Sequence, residues 1–362
     1  MDVKRIVVLH TAFIGDIILT LPLVQRLRAS LPEAHIAFVV IPSVANVLEN
    51  HPAINEVIIY DKHRRDAGLR GILRLARRIR KGEYDVAIIP HRSLRSSLVG
   101  WRSRIPRRIG FSTSAGVRFF TDVVPYDKGM HEIDRNLSLL KPLGLTFANN
   151  ELPTLYPSKN DGDVVDAFLK NQKVRITSKG RKGQPAHQDS LLVGIAPGSV
   201  WNTKRWPKEH FVALTKSLLE DGHSVVLMGG RDDAVLCSEI RNEIEDVSVV
   251  NAAGMLSLLQ SAELIRRCEV LVSNDSAPMH LATGVRTPVV AIYGATVPAF
   301  GFAPRGDHSV VAEMDGLSCR PCSIHGGGRC PIKTFVCMKN LTPEIVHTKV
   351  LSVVGMLRSE AQ

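Results

Sequence analysis

Residues 274–281, Asn-Asp-Ser-Ala-Pro-Met-His-Leu, follow directly on the apolar run Val270-Leu271-Val272 and open an amphipathic segment. A strand that runs into a polar turn and a helix start is where an open parallel sheet binds anions, because the first helical turn leaves backbone N–H groups unpaired. Asp275 and Ser276 can cap those groups or orient a ligand's hydroxyls, and His280 projects from the following turn. The pattern suits a nucleotide diphosphate. It suits an ordinary Asp/Ser helix cap with a surface histidine equally well.

A second segment of the same character breaks the tie. Leu191-Leu192-Val193-Gly194-Ile195-Ala196 reads as a strand and runs into Pro197-Gly198-Ser199, then Lys204-Arg205-Trp206-Pro207. Gly198 permits close backbone approach, Ser199 offers a hydroxyl, and Lys204 supplies a compact positive charge suited to a phosphate oxygen. Trp206 and Pro207 are expected to pack at the start of the next helix. Alone, this would be a loop with a solvated lysine. Beside the first segment it becomes half of a phosphate cradle.

Near the N-terminus the strand-like Ile6-Val7-Val8-Leu9 leads into Thr11-Ala12-Phe13-Ile14-Gly15-Asp16 and then Ile17 to Pro22. With Gly15 alone, this is not the three-glycine dinucleotide fingerprint, which disfavours an NAD-type oxidoreductase. Asp16 falls where the first strand delivers a helix. Its carboxylate can accept a proton from an incoming hydroxyl or simply complement the helix dipole.

The elements that must position these residues follow from periodicity. Apolar runs alternate with helical patterns, the signature of an α/β chain with parallel sheets covered by helices. Strands are expected at 4–9, 35–40, 56–59 and 85–89, with helices at 16–30, 43–50, 68–81 and 131–143. The alternation restarts with strands near 191–196, 224–228, 247–250, 269–273 and 288–293. Between the halves, residues 171–190 are rich in Lys, Arg and Gly and almost lack apolar side chains, which reads as a linker. The length of 362 residues exceeds what one core usually serves. We therefore expect a first domain over 1–170 and a second over 191–362, each doubly wound, with ligands at the carboxyl ends of the strands. No internal sequence repeat is visible.

Charge narrows the partners. Residues 1–150 hold 23 Lys and Arg against 13 Asp and Glu, so nearly all of the net charge of +11 lies in the first half. Arg64, Arg65, Arg70, Arg74, Arg77, Arg78, Arg80 and Lys81 form one cluster, and Arg92, Arg95, Arg102, Arg104, Arg107 and Arg108 another. Such clusters favour phosphate-rich partners, although a solvated helix face explains much of the first. Nucleic acid is disfavoured, because aromatics make up 5% and are not interleaved with the arginines. No apolar run is long enough to span a membrane and no signal peptide is indicated, so a cytoplasmic protein is expected.

The Gly15-Asp16 turn with Pro22, the Pro197-Gly198-Ser199 to Lys204-Arg205-Trp206-Pro207 segment, the Gly229-Gly230 loop, and Asn274-Asp275-Ser276 with His280 together resemble glycosyltransferase family 9. These are the ADP-heptose:lipopolysaccharide heptosyltransferases, and Lys-Arg-Trp-Pro is most like their heptosyltransferase II branch. The resemblance covers most of the chain. It implies a GT-B fold, two Rossmann-like domains facing across a cleft, with the acceptor on the first and the sugar nucleotide mainly on the second. It implies inverting, metal-independent transfer of heptose from ADP-L-glycero-D-manno-heptose to the inner core of lipopolysaccharide, without a cofactor. By the same carry-over Asp16 is the catalytic base, Ser199 and Lys204 contact the donor phosphates, and Asp275, Ser276, Ala277 and His280 form the donor turn. Arg92 and Arg95 would hold the anionic groups of a lipid-linked glycan acceptor, with peripheral contact at the inner membrane face and the last helix crossing back to the first domain.

Some positions depart from the family pattern. Ala277 stands where glycine is common, Val200 where a hydroxyl is frequent, and Gly229-Gly230-Arg231-Asp232 lacks a glutamate for the ribose or sugar, leaving Asp232 as the substitute. Another sugar nucleotide or acceptor on the same fold is the alternative. A non-catalytic protein binding nucleic acid or an anionic membrane is a third reading, supported by charge alone. Of six cysteines, Cys319, Cys322, Cys330 and Cys337 crowd together near His325. Their spacing admits a structural metal, but reduced thiols or a loop crosslink are the expectation. Cys237 and Cys268 are expected to be packed in the second domain.

Overall fold

The computed structural model describes residues 3–148, 150–172 and 190–360. The chain divides into two compact units, Met1–Tyr156 and Pro157–Gln362. In the first, strands β1 (Arg5–Leu9), β2 (His35–Val40), β3 (Glu56–Ile59), β4 (Val86–Ile89), β5 (Arg107–Phe111) and β6 (Asp122–Val124) form one sheet in the order β3-β2-β1-β4-β5-β6. The second unit repeats the plan with β7 (Leu192–Ala196), β8 (Ser224–Leu227), β9 (Val249–Asn251), β10 (Val270–Asn274), β11 (Val289–Tyr293) and β12 (Val310–Glu313), in the order β12-β11-β10-β7-β8-β9. The pairings are parallel throughout; Val7 stands between Ala37 and Ala87, and Ile195 beside Val272 and Leu227. Strands covered by helices on both faces need apolar side chains at nearly every position, hence the unbroken Val/Ile runs.

Helices α1 (Ile14–Ile18), α2 (Leu21–Ser30), α3 (Gly68–Lys81), α4 (Leu94–Arg102) and α5 (Glu132–Ser138) belong to the first unit. The second unit holds α6 (Lys159–Asn171), α7 (Lys208–Glu220), α8 (Ala234–Asn242), α9 (Leu258–Arg267), α10 (Ala277–Gly284), α11 (Val336–Lys339) and α12 (Pro343–Glu360). Helix α3 shows how a basic segment folds: Ile72, Leu75, Ala76 and Ile79 recur at helical spacing and are buried, which turns its arginines outward. Arg74 and Arg78 there pair with Asp66 and Glu56, so part of the first arginine cluster is an ordinary solvated face.

Several elements differ from expectation. The helix expected over 16–30 breaks at Leu19 and Thr20 into α1 and α2, with Pro22 in the first turn of α2, where its missing N–H costs nothing. Residues Pro42–Leu48 wind as a 3-10 helix, and the helix expected over 131–143 ends at Ser138 before a 3-10 turn at Lys141–Leu143. Helix α4 and strands β5, β6 and β12 were not anticipated. Charge hid β5: Arg107 folds onto Asp122 and Arg108 donates to the Phe119 carbonyl at 2.7 Å, so an Arg-Arg start is tolerated in a strand. Helix α6, not expected from sequence and lying almost wholly within the span expected for the first domain, packs on α9, where Arg267 reaches Asp166 at 3.1 Å. The division therefore falls after Tyr156 and not near 170. Of the expected linker over 171–190, residues 173–189 lie outside the described residues. Helix α12 belongs to the second unit, where Val346, Val350 and Val353 enter the core and His347 meets Asp221 at 2.6 Å.

In each sheet the strand order reverses direction beside the first strand, between β1 and β4 and between β7 and β10. The loops leaving these neighbours diverge to opposite faces and open a crevice at the carboxyl ends.

Candidate active site

The crevice of the first unit is built from the loops after β1 and β4. Asp16 occupies the third position of α1, where its Oδ2 accepts the Phe13 N–H at 3.2 Å, so the carboxylate does cap the helix. The Thr20 hydroxyl donates to the Asp16 carbonyl at 2.8 Å and also meets His10 Nδ1 at 2.8 Å. From α5, Asn136 donates to the Leu19 carbonyl and to Thr20 Oγ1 at 3.2 and 3.3 Å, which pins α5 against this turn. One helical turn before Asn136 stands Glu132, buried, accepting from Arg135 at 2.8 Å and from the Tyr126 hydroxyl at 3.1 Å. The Arg92 guanidinium lies 4.2 Å from the centre of the Tyr126 ring.

These surroundings set the basicity of Asp16. Withdrawal from water, and then the negative charge of Glu132, push its pKa up to about 6, against the opposing pull of the Phe13 N–H and Arg92. A carboxylate so placed is still ionised at neutral pH but is a stronger base than a solvated one. Burial also raises Glu132, with Arg135 opposing.

Arg95 and Arg92 separate in space. Arg95 lines a cavity of about 330 Å³ together with Thr11, Lys62, His63, His91 and Ser93. It donates to the Lys62 carbonyl at 3.2 Å and to the Tyr60 hydroxyl at 3.4 Å, while Lys62 Nζ donates to the Thr11 carbonyl at 2.6 Å. His91 Nδ1 lies 2.9 Å from Ser96 Oγ and 3.1 Å from Thr11 Oγ1. Burial, aided by Lys62 and Arg92, pushes His91 down to about 4, so it is neutral at physiological pH. Arg92, by contrast, covers Tyr126 and acts on Asp16 and Glu132 through its charge.

In the second unit the loops after β7 and β10 are tied by Asn274. Its Nδ2 donates to the Pro197 carbonyl at 2.8 Å and its Oδ1 accepts the Trp206 N–H at 3.1 Å. Trp206 is buried against His210 and Phe211, and its indole N–H donates to the Leu341 carbonyl at 2.8 Å, in line with the packing role expected of it. Lys204 Nζ lies 2.6 Å from Asp275 Oδ2, and the Thr296 hydroxyl donates to the same oxygen at 2.7 Å. Ser199 is buried, with its carbonyl held by Arg205 at 2.7 Å. Ser276 stands just before α10 without capping it, its hydroxyl donating instead to the Asn274 carbonyl at 3.3 Å, and Ala277 is the first residue of that helix, a position any residue adopts, so the departure from glycine costs no backbone strain. Pro278 lacks an N–H and that of Met279 is spent on the Ser276 carbonyl, which leaves fewer free donors in this turn than the sequence suggested. His280 is buried, its Nδ1 has no partner among the described residues, and burial pushes its pKa down to about 4.

Asp232 is exposed on the 3-10 turn after Gly229-Gly230. Its neighbour Asp233 faces inward: Oδ2 accepts the Gly230 N–H at 2.9 Å, and a Cβ on Gly198 would stand 2.1 Å from its Oδ1. Gly198 is thus required by Asp233, a residue the sequence reading passed over. It also passed over Lys62, His91, Glu132 and Thr296. Only the fold brings these to the strand ends, although Lys62 and His91 each closely follow an expected strand.

The cysteine-rich segment serves this same crevice. Arg320 donates to the Met314 carbonyl at 2.7 Å, the Thr296 carbonyl at 2.8 Å and Glu313 Oε2 at 2.7 Å, fixing the strand ends behind Asp275. Gly327 exchanges hydrogen bonds with Thr203, its N–H donating at 2.7 Å and its carbonyl accepting at 3.0 Å, so the loop braces the turn that carries Lys204. All six cysteines are free thiols; Cys237, Cys268 and Cys337 are buried. Among the described residues no three His, Cys, Asp or Glu side chains gather closely enough to hold a metal.

Two doubly wound units, each with polar and charged side chains at its switch point, are the architecture of a GT-B glycosyltransferase, and the protein is one. A family model, glycosyltransferase family 9 (heptosyltransferase), matches residues 72–325, and the chain belongs to that family. It is 28% identical over 309 residues to lipopolysaccharide heptosyltransferase 2 of Escherichia coli K12, covering 82% of this chain and 84% of that one. The solved glycosyl transferase family 9 structure from Veillonella parvula superposes with a TM-score of 0.82 at 27% identity, over 97% of this chain and 98% of that one. The ADP-heptose lps heptosyltransferase II of E. coli gives 0.77 at 25% identity over 99% and 100%. No helix among the described residues is long and apolar enough to cross a membrane.

Proposed function

We propose that the protein is an inverting, metal-independent heptosyltransferase of the heptosyltransferase II kind. It moves L-glycero-D-manno-heptose from ADP-heptose to the inner core of lipopolysaccharide, on a lipid-linked acceptor at the cytoplasmic face of the membrane. Asp16 takes the proton of an acceptor hydroxyl as that oxygen attacks the anomeric carbon. The bond from that carbon to the diphosphate breaks on the opposite side, and ADP departs. Lys204, Ser199 and the backbone N–H groups of the Ser276-Ala277 turn receive the developing diphosphate charge, the work a divalent cation would otherwise do. Asp275 and His280 orient the heptose and its phosphates, Asp232 serves the ribose, and Arg92 and Arg95 hold anionic groups of the acceptor.

The observation that carries this reading is the state of Asp16: a carboxylate at a switch point, raised to about 6 by burial and by Glu132. A purely structural cap is expected to have its carboxylate lowered by the N–H groups it serves. The test is Asp16→Asn. Transfer is expected to fall by about 10²–10⁴ while the rise in melting temperature given by ADP persists. Full turnover in that variant removes Asp16 from the base role. A thermal-shift series with ADP-, UDP- and GDP-sugars tests the donor; preference for UDP or GDP would overturn the ADP-heptose assignment.

A further inference from the structure

The C-terminal end of α4 carries a feature that transfer chemistry does not use. Trp101 is 41% exposed and lies against Phe119 with ring centres 5.1 Å apart. The Arg102 guanidinium is 4.7 Å from the centre of the Trp101 ring, and that of Arg118 is 4.9 Å from Phe119. Val117, 37% exposed, extends the apolar surface. Neither Arg102 nor Arg118 has a carboxylate partner among the described residues, although many other arginines of this unit do. An exposed Trp101 on a half-buried Phe119, with Val117 exposed beside them, leaves an apolar face in water, flanked by these cations.

We infer that Trp101, Phe119, Val117, Arg102 and Arg118 form a docking surface for an anionic lipid bilayer. Aromatic rings with one wet edge settle at the headgroup level, and each nearby arginine gains from the negative surface potential. Charge complementarity selects this occupant: nearly all of the excess of Lys and Arg lies in residues 1–150, and α3, packed against α4, presents Arg70, Arg77, Arg80 and Lys81 to solvent. The position in the fold adds a reason. Helix α4 starts at the cavity, with Ser93 as its cap and Arg95 in its first turn, and ends at the rings. Its nine residues span about 13 Å. A bilayer on Trp101 would hold the acceptor crevice one short helix above the headgroups, within reach of sugars attached to a lipid. That purpose rests on the function proposed above; binding to the bilayer does not.

The test uses the full chain with vesicles of phosphatidylcholine alone or mixed with phosphatidylglycerol. The protein should float with the mixed vesicles, fail to float with phosphatidylcholine, and detach as salt rises. Trp101 fluorescence should shift to the blue on binding, and Trp101→Phe should remove that shift while partition remains. Arg102→Glu with Arg118→Glu should weaken partition about tenfold or more, while a matched melting temperature and unchanged transfer to a lipid-free acceptor show that the variant is folded. Equal partition of wild type and double variant, or no preference for phosphatidylglycerol, overturns the proposal. So does a self-associating wild type that Trp101→Ala turns into a monomer, since a second copy would then cover the rings. Binding without transfer to any acceptor would sink the proposed function and leave the docking surface standing.

Discussion

Lys204 and Asp275 form a direct ion pair, 2.6 Å between Nζ and Oδ2, with both side chains largely buried. The cation assigned to the donor's phosphates is therefore already neutralised, and a diphosphate must share it with Asp275 or take it over. Removing one partner strands the other charge in a poorly solvated site. Lys204→Met should lower ADP affinity by about 10–100-fold and also destabilise the fold. Adding Asp275→Asn should restore most of the stability without restoring affinity. Chemical denaturation and ADP titration of wild type, the two single variants and the double variant check both parts; recovery of affinity in the double variant would show that Lys204 does not hold the phosphates.

The electrostatic link between Asp16 and Glu132 gives a pH prediction. With Asp16 as the proposed base, its ionised form is the active one, so kcat/KM should rise with pH through an apparent value near 6. In Glu132→Gln the neighbouring negative charge is gone, Asp16 is less basic, and the acidic limb should move to lower pH with a reduced plateau. The readout is the pH profile of kcat/KM. A limb that stays in place would show that Glu132 does not act on the base.

Asp16 should also cost stability at neutral pH. Its folded pKa, about 6, stands above the ordinary value of 3.8, so its charged form is disfavoured by folding and the penalty disappears as pH falls from above 6 toward 4. Asp16→Asn should thus be inactive yet more stable by about 3 kcal/mol at pH 7.5. Three buried or half-buried histidines act with the opposite sign. His51, His91 and His280 are pushed from 6.5 to about 4, so the unfolded chain takes up protons that the folded one refuses. Between pH 6.5 and 4 stability should drain away, by about 1 kcal/mol per histidine at pH 5.5. Urea titrations of wild type and Asp16→Asn at pH 7.5 and 5.5 separate the two contributions.

Gly198 and Asp233 make a steric prediction. A methyl at Gly198 would stand 2.1 Å from Asp233 Oδ1, so Gly198→Ala must drive that carboxylate off the Gly230 N–H. A loss of about 1–2 kcal/mol and weaker ADP binding are expected. Combining Gly198→Ala with Asp233→Ala should remove most of the steric penalty. If the single variant melts and binds like wild type, the two loops do not depend on this contact.

Much of this was legible beforehand because strands buried on both faces announce themselves as unbroken apolar runs. The strands at 35–40 and 56–59 fall where expected, and the turns at Ser199 and Asp275 stand at the carboxyl ends of adjacent strands. What escaped was governed by tertiary pairing. Arg107 and Arg108 begin a strand only because Asp122 and the Phe119 carbonyl receive them. Helix α6 belongs with the second unit because of its contact with α9, which no local pattern records. Lys62, Glu132 and Thr296 were missed for the same reason. Each lies outside the motif segments, and their meaning depends on which strands become neighbours.

A Cβ on Gly326 would come within 2.9 Å of the Lys204 side chain, from a position more than a hundred residues downstream. The lysine's reach is thus moulded by a loop that carries none of the strand-end motifs. Drift in that loop can retune the lysine proposed to grip the leaving group while both motif turns keep their spelling, which would offer such enzymes a route to new donors hidden from any comparison of their signature residues.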